Sequence, residues 1–281
     1  MNDGSARRAS AGTRLTGVIG WPVAHSLSPA MHEAAYAALD LPLCYLAFPV
    51  EPRALGAAIA GASALGVVGL NVTVPHKEAV LPLCRPDDLA ARVGAVNTLC
   101  FAPDGGPPVG RNTDVHGVRQ LLIESGVDAR GRSALVLGAG GAARAAAFAL
   151  VEAGARVVVA ARTPRAFGFG GMARIACIGW SRLGERLPTT DLLVDATGRG
   201  LDPSLSLDLS ALPPAAVVLD LVVRRSTRLC DDARARGLRA ETGDAMLLHQ
   251  GAEAFAAWPG REAPLEVRRA ALGRALDERA E

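Results

Sequence analysis

From Leu15 onward, short β-branched runs alternate with Ala/Leu-rich stretches at helical spacing. Strands in such a chain pair side by side while the intervening helices cover the sheet faces, so the pattern predicts an α/β fold with mostly parallel strands. The apolar runs place strands near 15–20, 43–50, 68–74, 95–101 and 109–112, with helices near 29–39, 52–64 and 76–83 and a long one near 114–125. Residues 126–132 are polar and hold two glycines. Immediately afterwards SALVLGAGGAARAAAFALVEAGARVVVAAR reads as strand, glycine turn, helix and strand, and a second domain begins there. Further strands are predicted near 174–180, 191–196 and 216–223, then helices near 228–236, 245–258 and 262–279. Between Arg162 and the strand expected at Arg174 lies only TPRAFGFGGMA. That is too short for a comfortable parallel crossover helix, and an abbreviated turn through Gly168, Gly170 and Gly171 is expected instead.

Length and composition narrow the function. A chain of 281 residues, half of them apolar, can bury the cores of two domains. The formal charge is +2 and the arginines are scattered among acids, so no stripe for nucleic acid stands out and the expected partner is a small molecule. The five cysteines, Cys44, Cys84, Cys100, Cys177 and Cys230, form no C-x-x-C pair. They are expected to be buried and reduced, in a cytoplasmic protein. The opening MNDGSARRASAGTR leads into no signal-peptide core, and Arg144, Glu152 and Arg156 interrupt the apolar stretch 134–161 before it could span a membrane. The expected state is monomer or homodimer.

Candidate chemistry sits at the punctuation between elements. Gly138, Gly140 and Ala143 form G-x-G-x-x-A between a predicted strand and helix, where backbone N–H groups can approach a pyrophosphate; a tight turn without ligand would use the same residues. Where a dinucleotide site for NAD would offer an acid at the end of the next strand, this chain has Ala161, Arg162 and Thr163, with Arg165 beyond. A guanidinium and a hydroxyl suit the 2′-phosphate of NADP, although strand-end arginines are also common solvated residues. In GLNVTVPHKEAV, Thr73 falls at a strand end and Lys77 in the first turn of the predicted helix, where the macrodipole disfavours a cation and so suits a proton donor. A solvated lysine would fit the same place. Asp114 in GRNTD stands at a helix mouth, as a cap would. In HSLSP, Ser28 before Pro29 reads as an N-cap, leaving Ser26 without a structural task, and two hydroxyls at a helix start also make a carboxylate site. The histidines His25, His32, His76, His116 and His249 show no ligand spacing, so no metal is expected.

Together these motifs resemble the shikimate dehydrogenases in order and spacing over nearly the whole chain. The resemblance implies an N-terminal α/β substrate domain formed by residues 14–113 and 245–281 and a Rossmann-type doubly wound NADP-binding domain over 114–244. The C-terminal helices would return to the first domain, with the active site in the cleft. It further implies Lys77 and Asp114 as the catalytic pair, Ser26 and Ser28 on the substrate carboxylate, and Thr73, Asn97 in GAVNT and Gln250 as further substrate ligands. GAGGAAR, with Gly138, Gly140, Gly141 and Ala142, would be the coenzyme loop. In GDAMLLHQGAEAFAAW, Gly243 and Met246 would lie on the coenzyme side, Met246 against the nicotinamide. The reaction implied is reversible, NADP-dependent reduction of 3-dehydroshikimate. Alternatives are a relative acting on quinate or an amino analogue, possibly with NAD, and a non-catalytic coenzyme-binding regulator. Three departures stand out: Ala161 for the family's asparagine, Asp195 for asparagine in its Asn-Ala-Thr, and Val223 for its tyrosine, in a loop one residue short.

Overall fold

The computed structural model describes residues 10–103, 105–164, 168, 175–197 and 207–279. Two six-stranded sheets carry the fold. The first contains β1 (Arg14–Gly20), β2 (Leu43–Pro49), β3 (Gly69–Val72), β4 (Arg85–Pro86), β5 (Thr98–Cys100) and β6 (Val109–Arg111), in the order β2-β1-β3-β5-β6-β4. β1 runs parallel to β2 and β3, whereas β5 is antiparallel to both its neighbours. The second sheet contains β7 (Ser133–Leu137), β8 (Arg156–Ala161), β9 (Ala176–Gly179), β10 (Leu192–Asp195), β11 (Val217–Asp220) and β12 (Arg239–Thr242). Its order is β12-β11-β10-β7-β8-β9 and every pair is parallel.

Both sheets are covered on both faces, and the strand period of two sorts their side chains. In β7, Ala134 and Val136 face one core with Phe148 and Leu150, while Leu135 and Leu137 face another with Leu183 and Leu229. Helix α5 (Gly141–Glu152) buries a run from Ala145 to Leu150, and its small side chains let the helix lie close on the sheet. In the first sheet, Val18 joins Tyr36, Tyr45, Phe255 and Trp258 on one face, and Ile19 joins Leu55, Ile59 and Val72 on the other. Two helices tie the halves together: α4 (Asp114–Glu124) leaves the first sheet and α8 (Asp244–Ala257) returns, packed along it. α9 (Leu265–Asp277) then lies on α1 (Ser28–Ala38).

Several elements differ from expectation. No helix forms over 76–83; the chain makes turns and a short 3₁₀ segment at Leu81–Leu83. Pro82 lacks the N–H that a helix would use, and the Lys77 carbonyl is taken by the Val96 N–H at 2.8 Å. The macrodipole reading of Lys77 therefore falls. A helix α3 (Asp88–Val93) appears where none was expected, capped by Asp87, whose Oδ1 accepts the Ala90 N–H at 2.8 Å, and ended by Gly94 at φ 73°. Six residues are too few to show a period. The strand β12 is likewise unexpected, since RAET carries no apolar alternation. The helix expected at 52–64 is α2 (Leu55–Ala64) preceded by a 3₁₀ turn. Short helices α6 (Leu183–Arg186) and α7 (Arg228–Ala235) complete the second half. The abbreviated turn expected after Arg162 lies largely outside the described residues. Only Cys230 among the five thiols is fully buried; the other four are half-buried, and none of the five is in a disulfide.

Candidate active site

The first half delivers its polar residues to the ends of β3, β5 and β6 and to the mouth of α4. Asp114 is the first residue of α4, where its charge suits the helix dipole. Both its oxygens are engaged: Oδ2 accepts from Lys77 Nζ at 2.6 Å and Oδ1 from Asn97 Nδ2 at 2.8 Å. The pair is largely buried, the side chains being 13% and 4% exposed. Removing one partner of such a pair strands the other charge, a loss of about 3–5 kcal/mol. Asn97 is held by the Thr113 N–H, which donates to its Oδ1 at 2.7 Å, and its amide also reaches Gln250 Oε1 at 3.3 Å. Thus Lys77, Asp114, Asn97 and Gln250 converge although Gln250 lies on α8, across the chain. Thr73 closes the same end of the sheet, its N–H donating to the Ile19 carbonyl at 2.9 Å.

The N-cap reading of Ser28 does not hold. α1 begins at Ser28 itself, and no side chain caps it. Ser26 Oγ instead accepts the Ser28 N–H at 3.3 Å. The buried Ser28 side chain faces the Tyr45 hydroxyl, which donates to Asn71 Oδ1 at 2.7 Å. Asn71 Nδ2 continues to Thr98 Oγ1 at 3.1 Å, and Thr98 adjoins Thr113. This buried polar chain of Tyr45, Asn71, Thr98 and Thr113 escapes a reading of the sequence, because each member is an ordinary strand or loop residue until the sheet order aligns them.

The glycine turn faces this cluster. Gly138 adopts φ 104°, a conformation L side chains rarely adopt, and carries the chain off β7 toward α5. Gly141 opens α5, and a Cβ there would come within 2.6 Å of Lys77 Cβ. The lysine and the helix N-terminus thus share one cleft, and Ala142 stands half-buried in the same first turn. Ala143 is fully buried, seating the helix on the sheet. Across the cleft, Arg144 Nε donates to the Val93 carbonyl at 2.6 Å. Gly243 lies against Leu221, and Met246, one turn into α8, is buried. Arg162 and Thr163 are exposed at the end of β8, with the Arg162 guanidinium 5.9 Å from the Trp180 ring centre. Arg165 falls outside the described residues.

The turn lies where the strand order reverses, between β7 and its neighbours β8 and β10, the crevice in which open α/β sheets hold ligands. β10 ends there on Asp195, paired in register with Asp220 of β11. Each Oδ1 accepts a backbone N–H, Thr197 at 2.9 Å and Val222 at 3.0 Å, and neither Oδ2 finds a hydrogen-bond partner among the described residues. Burial, with the Asp220 charge adding to it, raises Asp195 to about 6. Burial raises Asp220 as well. Val223, which stands in place of the family's tyrosine, is half-buried against the cluster that holds Leu27, Met31 and Leu248.

Family models match the chain in two places: the shikimate dehydrogenase substrate binding domain over residues 18–99 and the shikimate 5′-dehydrogenase C-terminal domain over 245–272. The shikimate dehydrogenase (NADP(+)) of Halorubrum lacusprofundi is 46% identical over 270 residues, covering 93% of this chain and 98% of that protein. The chain belongs to the shikimate dehydrogenase family. Shikimate 5-dehydrogenase from Thermus thermophilus, solved in complex with NADP(H) and shikimate, matches with a TM-score of 0.81 at 40% identity, over 94% of this chain and all (100%) of that one. Quinate dehydrogenase from Corynebacterium glutamicum, solved in complex with NAD, matches with a TM-score of 0.81 at 30% identity, over 93% of this chain and 99% of that one. The expected architecture of this shikimate dehydrogenase family member, an α/β domain joined to a doubly wound one, agrees with these neighbours and with its two sheets. No described helix is long and apolar enough to cross a membrane.

Proposed function

We propose that this chain catalyses the reversible, NADP-dependent reduction of 3-dehydroshikimate to shikimate. The observation that carries the mechanism is the buried Lys77–Asp114 pair at 2.6 Å, set against the glycine turn of the coenzyme crevice. The crevice fits a dinucleotide: a Cβ on Gly140 would meet nothing within 4 Å, which leaves room for a pyrophosphate at the start of α5, and Lys77 lies against Gly141 beside it. When bound, NADPH supplies the hydride. Lys77 Nζ gives a proton to the carbonyl oxygen as negative charge grows on it, and the same amine receives the proton in the reverse direction. Asp114 holds that amine in place while Asn97 holds Asp114. Ser26 and Ser28 take the ring carboxylate, and Thr73, Asn97 and Gln250 the hydroxyls, so that a ring lacking a partner group is rejected. Residues 14–113 with 245–281 form the substrate side and 114–244 the coenzyme side, with Gly243 and Met246 bordering the nicotinamide and Ala142 in the phosphate turn. Arg162 and Thr163 face the 2′-phosphate. The chain acts in the cytoplasm on small molecules alone, as monomer or homodimer.

The reading is tested by following nicotinamide absorbance with the purified protein, shikimate or quinate, and NADP or NAD. Turnover of shikimate with NADP should exceed the other three combinations; quinate with NAD as the best pair would overturn it. Coenzyme choice has its own test. Arg162→Ala should weaken NADP binding by about 1.5–3 kcal/mol, the scale of a hydrogen bond to a charged group, with little change for NAD. Equal losses in a fluorescence titration of both coenzymes would remove Arg162 from the phosphate site.

A further inference from the structure

Arg268 is a buried cation with no counter-ion among the described residues. It stands on α9 with no exposed surface, and its Nε and Nη1 find no acceptor among the described residues. Its Nη2 lies 3.5 Å from His32 Nε2, and the guanidinium sits 5.7 Å from the Phe255 ring centre. Burial and the Arg268 charge hold His32 well below its usual range, so the ring is neutral and can accept. Burial brings Arg268 down to about 10, which leaves it charged at neutral pH. The fold accommodates this group specifically: a Cβ on Gly251 would come 2.4 Å from its Nη2, and Gly251 follows Gln250 on α8. An uncompensated buried charge is costly, and packing alone would be better served by an apolar side chain.

The charge stands behind the serines. His32 follows Ser28 by one helical turn on α1, so both side chains rise from one face. The His32 ring stacks on Tyr45 with centroids 4.2 Å apart, and the Tyr45 hydroxyl faces Ser28. The hydroxyls of Ser26 and Ser28 are neutral donors, and Lys77 is committed to Asp114. Arg279 donates to the His25 carbonyl nearby but is exposed, so water and salt screen it. We propose that Arg268 is a positioning residue whose buried charge favours the substrate carboxylate held at Ser26 and Ser28. This rests on the placement of the carboxylate proposed above.

A unit charge on the order of 10 Å from a carboxylate, across protein rather than water, is worth about tenfold in binding. Arg268→Met should therefore raise the KM for shikimate about tenfold at nearly unchanged kcat, and leave the KM for the neutral shikimate carboxamide within about twofold. Arg268→Lys should restore most of the difference. Arg268→Met should also raise Tm, since an unpaired buried charge has gone, a combination that a merely structural arginine would not produce. Should that variant not fold, His32→Glu sets a carboxylate against the guanidinium and carries the same expectation of a selective loss with shikimate. Unchanged KM for shikimate, or equal changes for acid and amide, would overturn the proposal. Ser28→Ala, measured beside it, separates the two failures: a raised KM there with none at Arg268 rejects Arg268 alone, and no change in either rejects the carboxylate site as well.

Discussion

Replacing Lys77 by Met should lower kcat by about 10²–10⁴, the scale of a positioned acid or base, while coenzyme affinity stays nearly unchanged. Methionine keeps most of the length of the side chain, one atom short, and removes the proton carrier, so binding of the ring should suffer less than turnover. Asp114→Asn should cost a comparable factor. Asn97 would then face an amide in place of a carboxylate, and the amine would lose the oxygen that holds it at 2.6 Å. Because both residues serve one proton transfer, the double variant should be little worse than the worse single variant. Steady-state kinetics with shikimate and NADP measure all three. More than about a tenth of wild-type kcat in Lys77→Met, or multiplicative losses in the double variant, would mean that the two do not act as a unit.

Asp195→Asn should stabilise the protein at pH 8 and do much less at pH 4.5. Asp195 holds its proton more tightly in the folded chain, up to about 6, than a free carboxyl would. Relative to the unfolded chain its contribution is fully present at low pH, below the unfolded value, and is lost as pH rises through the folded one. Above about pH 6 two carboxylates on neighbouring strands must both ionise inside the protein, or one must keep its proton against the solvent. An asparagine removes that conflict: its Oδ1 can still accept the Thr197 N–H, and its amide can donate to the Asp220 Oδ2 that has no hydrogen-bond partner among the described residues. The gain should be about 1–3 kcal/mol, or roughly 2–8 °C in Tm for a protein of this size. Calorimetry at the two pH values reads the difference. An equal shift at both, or a loss at pH 8, would show that the pair is not competing for a proton.

Part of this protein is legible in the order of its residues. Alternation of β-branched runs with helical spacing marks most strands of both sheets, because side chains buried on both faces leave a local record in the chain. The glycine turn is legible for the same reason: Gly138 must adopt positive φ and Gly141 must let another side chain pass, whatever lies around them. Local signals also exist at α3, where Asp87 caps and Gly94 ends six residues, though a helix so short shows no period. The region 76–83 is the opposite case. Its residues permit a helix start, but Pro82 breaks it locally and the packed sheet takes the Lys77 carbonyl through the Val96 N–H.

The site itself is tertiary. Motifs name Lys77, Asp114 and Asn97 singly, but whether they touch depends on β5 lying between β3 and β6, and Gln250 reaches Asn97 from 153 residues away because α8 returns along α4. The pairing of Asp195 with Asp220 follows from strand register, which no local pattern encodes across the residues between them. Arg268 reads in sequence as one more charge on an amphipathic helix. Only the packing of α9 onto α1 and α8 turns it into a buried cation, because burial belongs to the assembled layers and not to the segment that carries the side chain.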